Sequence, residues 1–281
     1  MPQAGKWRFL AAIALALATP ARPQAAGVPH RIASLNLCAD QLLLALADRS
    51  QILSLSPLAR DPTISFLVGS VGDLPVNSGR AETLLFERAD LIMMARWGSQ
   101  VQRTLLERHG FELMLLEPWR SLEAGYAEIR AVAARLSHQE RGEALIEAIK
   151  AALARAESIV QPGRRVLTLY RRGWAPGTES LTAELLRHMG FTLQEEELGV
   201  GRGGVVRLES LVANPPDYVL IDDIQGLAMD QGTALLMHPA LLTAVPPERR
   251  LNLPSRLAIC GGPSTPALID AIAAEVRRKV H

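Results

Sequence analysis

The chain predicts an α/β fold: two Rossmann-like lobes with parallel sheets, joined by a single long bridging α-helix. Three observations predict it. Short apolar runs alternate with helical patterns along the chain beyond residue 27, the mark of α/β units and parallel sheets. Two stretches then repeat each other, ETLLFERADLIMM (82–94) and ESLVANPPDYVLI (209–221). Each has a glutamate, a leucine two residues on, an aspartate eight residues on and four apolar residues after that; Glu82/Glu209 and Asp90/Asp217 share one offset of 127 residues. A repeat this long is a copy of a domain, not a solenoid unit. Finally, residues 121–160, between the copies, are rich in Ala, Leu, Glu and Arg and lack proline. From Gln139 to Ile159 this makes a rod of roughly 30 Å at 1.5 Å per residue, which holds lobes apart where a Gly/Ser linker would let them wander.

The expected organisation is a signal peptide over 1–26, a first lobe over 27–136, a bridging helix over 137–160 and a second lobe over 161–281. Lys6 and Arg8, then FLAAIALALA, then small residues and prolines form the charged, apolar and cleavage regions of an export signal. The apolar run is shorter than the roughly 20 residues of a membrane span. In the first lobe, RIASLN (31–36) reads as a buried strand, ADQLLLALAD (39–48) as a helix and QILSLS (51–56) as the next strand. Residues 81–88 form a short helix, DLIMMA a strand, SQVQRTLLERH a helix stopped at Gly110, and FELMLL the last strand. The second lobe replays this with RRVLTLY, ESLTAELLRHMG, a helix from about Leu208, DYVLID and RRLNLP; residues 231–244 and 265–279 are helical.

Charge balances at +1, which argues against nucleic-acid binding. Ligands of α/β sheets bind at the carboxyl ends of the strands, so the candidate loops are Asn36–Cys38, Arg60–Asp61, Arg96–Trp97, Arg171–Trp174, Asp222–Asp223 and Cys260–Ser264. From these the expected ligand-binding residues are Asn36, Arg60, Asp61, Arg96, Trp97, Arg172, Trp174 and Cys260. Trp97 and Trp174 offer flat apolar walls at strand tips of separate lobes, and the arginines offer partners for anionic groups. Tyr170 is read as the finish of a strand, with contact to an iron-bearing ligand as the alternative. Glu82 and Glu209 each open a short helix, where the helix dipole favours a carboxylate, and together present two matched charges to a partner.

GVGRGG (199–204) satisfies G-x-G-x-x-G, but no buried strand precedes it and no long helix follows; it reads as a flexible loop. The six histidines are scattered, and no catalytic motif or metal-ligand set emerges. Cys38 and Cys260, one in each lobe, leave three readings: a disulfide clamping the lobes, two free thiols, or a thiol touching the ligand. Free thiols is the preferred one.

The run RIASLN-CADQLLLALAD-QILSLSPLARDP, the glutamate helix, ADLIMMARWGS, HPAL (238–241) and the closing CGGP together resemble the periplasmic binding proteins of cobalamin and ferric-siderophore ABC importers, the helical-backbone class. That resemblance implies a periplasmic, monomeric receptor with no catalysis and no cofactor of its own. It would take a ferric siderophore or corrinoid, a ligand that itself carries iron or cobalt, and deliver it to an ABC permease in the inner membrane. It also implies that Glu82 and Glu209 dock on permease arginines. The alternatives are a haem-binding receptor and an exported α/β enzyme with Cys38 as nucleophile.

Overall fold

The computed structural model describes residues 27–222 and 231–280. The expected signal peptide and Asp223 lie outside these residues. In the first lobe, strands β1 (Ile32–Ser34), β2 (Ile52–Ser54), β3 (Leu91–Ala95) and β4 (Leu113–Leu116) form one sheet in the order β2-β1-β3-β4. All its pairings are parallel, with Ile32 opposite Leu91 and Ile92 opposite Leu113. Helices α1 (Leu37–Leu46), α2 (Val68–Val71), α3 (Ala81–Leu84) and α4 (Gln100–Arg108) fill the crossovers.

After α5 (Leu122–Leu136) and α6 (Gln139–Ala156), the second lobe repeats the plan. It uses β5 (Arg165–Leu169), β6 (Trp174–Ala175), α7 (Leu181–His188), β7 (Thr192–Leu193), β8 (Gly204–Val205), α8 (Leu208–Ala213) and β9 (Tyr218–Asp222). Helices α9 (Gln231–Ala234) and α10 (Pro239–Ala244), strand β10 (Arg250–Leu253), then α11 (Ser255–Ala258) and α12 (Thr265–Lys279) complete it. The sheet order β7-β5-β9-β10 is the same path as β2-β1-β3-β4, again all parallel. β6 and β8 form a separate antiparallel ribbon.

The repeated aspartates have a shared structural cause. Asp90 accepts the backbone N–H of Arg31 at 3.0 Å and Asp217 that of Arg165 at 2.7 Å. Each carboxylate closes the entry to its lobe's first strand, whose opening N–H lacks a strand partner.

Helix α6 is the bridge. Its buried face (Ile146, Ile149, Ala152, Ala156) packs on α5 to one side and α12 to the other, so one apolar core runs from Ile32 in the first sheet to Leu251 in the second. Gly142 lets α5 approach, since a Cβ there would lie 2.6 Å from the Ala133 Cβ. The helix ends at Ala156 rather than Ile159. Helix α5 is a separate rod, turned into α6 at Ser137, which takes the left-handed conformation (φ 63°).

Candidate functional site

The sequence puts a helix-capping residue after the first strand of each lobe. Asn36 accepts the Ala39 N–H at 2.9 Å and starts α1; Ser180 accepts the Ala183 N–H at 3.2 Å and starts α7. Capping orients the chain so that both helix N-termini face the space between the lobes. That space is a cavity of about 270 Å³, lined from the first lobe by Asn36, Cys38, Leu42, Glu117 and Trp119, and from the second by Tyr170, Ser180, Thr182, Ile259 and Cys260, among others.

Of the expected ligand residues, Asn36 and Cys260 line this cavity. Arg60 and Asp61 do not. The Arg60 guanidinium donates to the carbonyls of Gly72 (3.1 Å) and Leu74 (3.0 Å), and Asp61 holds the Thr63 N–H and hydroxyl at 2.8 and 2.6 Å. The hydrogen bonds from Thr63 keep the Asp61 carboxyl below the ordinary range. Both side chains stabilise their own loop. Arg96 is paired with Glu117.

Trp97 and Trp174 stand 66% and 48% exposed outside the lining, but each is one bond from it. The Trp97 indole N–H donates to Glu117 at 3.0 Å, and the Tyr170 N–H donates to the Trp174 carbonyl at 2.7 Å. Neither is among the residues that line the cavity. Trp174 lies opposite Val205 across the β6–β8 ribbon, and both are exposed. Arg172 sits between Tyr170 and Trp174 in a left-handed conformation (φ 59°), unusual for a residue with a Cβ. It is exposed and makes no hydrogen bond or ion pair with the described residues.

Two expectations are corrected. Cys38 and Cys260 are not free thiols: they are bonded to each other, with Cα atoms 5.3 Å apart, and a thiolate nucleophile at Cys38 is therefore absent. Tyr170 does not finish the strand. β5 stops at Leu169, and the Tyr170 ring enters the cavity lining with its hydroxyl 3.3 Å from that of Thr182. GVGRGG is also closely packed: a Cβ on Gly177 would lie 2.4 Å from the Gly203 nitrogen, so the glycines serve backbone approach.

Sequence reasoning passed over Trp119. Its indole lies between Gly125 of α5 and Gly261 of the second lobe, where added Cβ atoms would come within 2.3 and 2.2 Å of ring carbons. Its N–H donates to Glu128 at 2.8 Å, and Glu128 also accepts the Glu117 N–H at 2.9 Å. Burial raises the Glu128 pKa against those hydrogen bonds. The two glycines were the available signal, but 136 residues separate them in sequence.

Glu82 and Glu209 are exposed in the first turns of α3 and α8. Among the described residues, no group of three or more His, Cys, Asp or Glu is placed to hold a metal ion, and no helix is long and apolar enough to cross a membrane.

Known proteins can be set beside this geometry. Similar solved structures include the periplasmic haem-binding protein RhuT from Roseiflexus sp. RS-1 in apo form (TM-score 0.67, 22% identity, 87% of this chain and 95% of that one). Others are a periplasmic haem-binding protein from Pseudomonas aeruginosa (0.69, 22%, 89% and 93%) and HutB of Vibrio cholerae (0.69, 18%, 87% and 97%). At these identities the likeness shows the fold. No curated protein matches the chain. The family model described as periplasmic binding protein matches residues 32–256; with its twin sheets, bridging helix and interlobe cavity, the chain belongs to the periplasmic binding protein family of ABC importers.

Proposed function

We propose that this binding protein captures a haem-type metal tetrapyrrole between its lobes and delivers it to an ABC permease. The observation that carries the ligand reading is Tyr170 in the wall of the interlobe cavity, which Leu42, Leu116 and Trp119 also line. A tyrosine oxygen is an established axial ligand of haem iron. The similar structures above are described as haem-binding, which supports the same class. At about 270 Å³ the cavity lies just below the usual range for small-molecule sites. A flat macrocycle therefore enters by one edge and leaves the other between Trp97 and Trp174, where Arg172 meets a carboxylate of the ligand. Asn36 and the Cys38–Cys260 pair contribute the floor. Arg60, Asp61 and Arg96 take supporting roles in this reading, since their polar groups are already engaged.

The same proposal holds that residues 1–26 are removed on export, that the receptor works as a monomer in the periplasm without a cofactor of its own, and that Glu82 and Glu209 meet arginines of the permease. Ferric siderophores and cobalamin, the ligands expected from the resemblance, are the competitors. The test is a titration of the protein with hemin, cobalamin and a ferric siderophore panel. Hemin is expected to bind one to one with a Soret band that shifts in Tyr170→Phe and an affinity that falls at least tenfold. Tight binding of cobalamin or a siderophore with none of hemin overturns the reading.

A further inference from the structure

Three consecutive residues of the second lobe grip the first. Cys260 is bonded to Cys38 across 222 residues of sequence. Gly261 lies against the Trp119 indole, and Gly262 against Leu42 of α1, where a Cβ would come within 3.1 Å of the Leu42 Cδ2. The gripping segment is itself held firmly. The Ser264 hydroxyl donates to the carbonyls of Cys260 (2.9 Å) and Leu257 (3.1 Å), and the Gly262 N–H donates to the Thr265 hydroxyl at 3.0 Å. Thr265 opens α12, which packs on the bridging helix. Nearby, the Leu122 N–H at the start of α5 donates to Glu184 of α7 at 2.6 Å, and Arg120 lies 3.9 Å from Glu179.

This clasp is also part of the cavity wall, since Cys38, Trp119, Cys260 and Gly261 all line it. The two cysteines differ in access. Cys260 is 2% exposed, whereas Cys38 is partly open. The chain has two cysteines in all, so this is its one possible internal disulfide, and it lies where the ligand would touch rather than on a remote surface.

We propose that the Cys38–Cys260 disulfide is a reducible clasp that sets how tightly the lobes hold the ligand, and that a dithiol reductant acts on it through the ligand cavity. The proposal rests on the cavity being the ligand site. A reductant thiolate attacks the Sγ of Cys38, the more open of the two residues, forming a mixed disulfide while the Cys260 thiolate leaves. The reductant's second thiolate then attacks its own sulfur in that mixed disulfide, closing the reductant's disulfide and releasing the Cys38 thiolate. Two electrons pass from the dithiol to the protein, and two protons come to rest on Cys38 and Cys260. The covalent tie is then gone, and the non-covalent contacts remain: Trp119 against Gly261, Leu42 against Gly262, the Leu122–Glu184 bond and the apolar core around α6. A ligand in the cavity covers Cys38, so the loaded receptor resists reduction and the empty one accepts it.

The experiment has two arms, with dithiothreitol as reductant and thiol titration to follow it. The first needs no ligand: the indole N–H resonance of Trp119, assigned by its loss in Trp119→Phe, is expected to shift or broaden on reduction. An unchanged resonance in fully reduced protein overturns the clasp. The second uses hemin as probe. Its release is expected to be at least tenfold faster from reduced protein and from the Cys38→Ala/Cys260→Ala protein, and bound hemin is expected to slow reduction at least tenfold. Equal release rates within twofold, in reduced wild-type protein that retains its circular dichroism, overturn the proposal. Failure of hemin to bind in either state overturns the ligand reading instead, and the first arm then decides the clasp alone.

Discussion

The Asp40 carboxylate accepts both the backbone N–H (2.8 Å) and the hydroxyl (2.5 Å) of Ser56, with no exposure to solvent. The pair ties the first turn of α1, two residues past the disulfide, to the chain leaving β2. Burial raises the pKa of Asp40 to about 6, and the hydrogen bonds from Ser56 and Ser34 oppose it less strongly.

That shift gives the folded chain a pH dependence with a definite sign. The folded form holds a proton that the unfolded chain, with an aspartate pKa near 3.9, releases. The stabilisation is complete below about pH 4 and is lost as pH rises through about 6. A shift of about two units amounts to about 3 kcal/mol. Burial raises Glu195 and Glu128 as well, so those carboxyls add to the trend. Asp40→Asn removes the Asp40 share. Urea denaturation at pH 4.5 and 7.5 should show the variant gaining about 2 kcal/mol on wild type at the higher pH, since part of the shift's effect is already spent at pH 4.5. Two parallel stability profiles would contradict the assignment.

Loss of the disulfide should cost more than any single core truncation. In the chain-entropy picture, a closed loop of 222 residues constrains the unfolded chain by roughly 5 kcal/mol. Cys260→Ser is therefore expected to lower the urea midpoint strongly in non-reducing buffer, and added dithiothreitol should bring wild type to the same midpoint. A variant as stable as oxidised wild type would show that the bond does not form.

Gly261 tolerates no side chain while Trp119 keeps its place. The added methyl would meet the fused carbons of an indole fixed by Gly125 behind it and Glu128 at its N–H, not the free end of a flexible chain. Gly261→Ala should destabilise by about 1–3 kcal/mol, the usual cost of overpacking. Combining it with Trp119→Leu should recover part of that loss. If the double variant is simply the sum of the two singles, the residues are not coupled.

Much of this architecture was legible because it is local and repeated. Strand runs such as DLIMMA and DYVLID are continuous apolar segments, and the structure pairs both within parallel sheets. The duplication extends to atoms the sequence could not show. Arg31 donates to the carbonyls of Glu87 and Arg88, while Arg165 donates to the Asn214 side chain and the Pro215 carbonyl, positions that keep the 127-residue offset. What escaped reading depends on contacts between the lobes or on competition for a side chain. Cys38 and Cys260 stand 222 residues apart in sequence and on different lobes, so their pairing cannot be read locally. Arg60 looks like a free loop cation until its neighbouring carbonyls claim it. Glu195 lies in the stretch before GVGRGG that reads as no buried strand, yet it is fully buried and its carboxylate accepts the Thr168 N–H at 3.2 Å, beyond the last residue of β7.

Among the expected ligand arginines, Arg172 differs from Arg60 and Arg96 in making no side-chain bond with the described residues. Arg60 and Arg96 already have acceptors, so removing either should act on the loop more than on the ligand. Arg172 is held beside Tyr170 in a strained backbone conformation. A charge-assisted hydrogen bond contributes about 1.5–3 kcal/mol, so Arg172→Ala should weaken hemin binding by roughly 10- to 100-fold. The same change should leave the denaturation midpoint nearly unmoved, because the side chain is exposed. Unaltered affinity would place the ligand's carboxylates elsewhere.

The proposed docking role of Glu82 and Glu209 can be tested by separating transport from capture. Both are exposed, and neither lines the cavity. Each stands in the first turn of a short helix beside exposed apolar surface, Phe86 at 88% in one lobe and Val212 at 41% in the other. Carboxylates rimmed by apolar groups suit a partner that supplies arginines, since the pair sets register while the apolar contact contributes area. Glu82→Ala and Glu209→Ala should each leave hemin affinity within twofold of wild type and reduce uptake in cells that carry the cognate permease. Being on separate lobes, the two losses should add in free energy when combined. The decisive comparison is binding in solution against binding to permease in detergent or nanodiscs. A substitution that weakens hemin capture and spares permease association would assign the glutamate to the ligand, and the twin acids would then not be a docking pair.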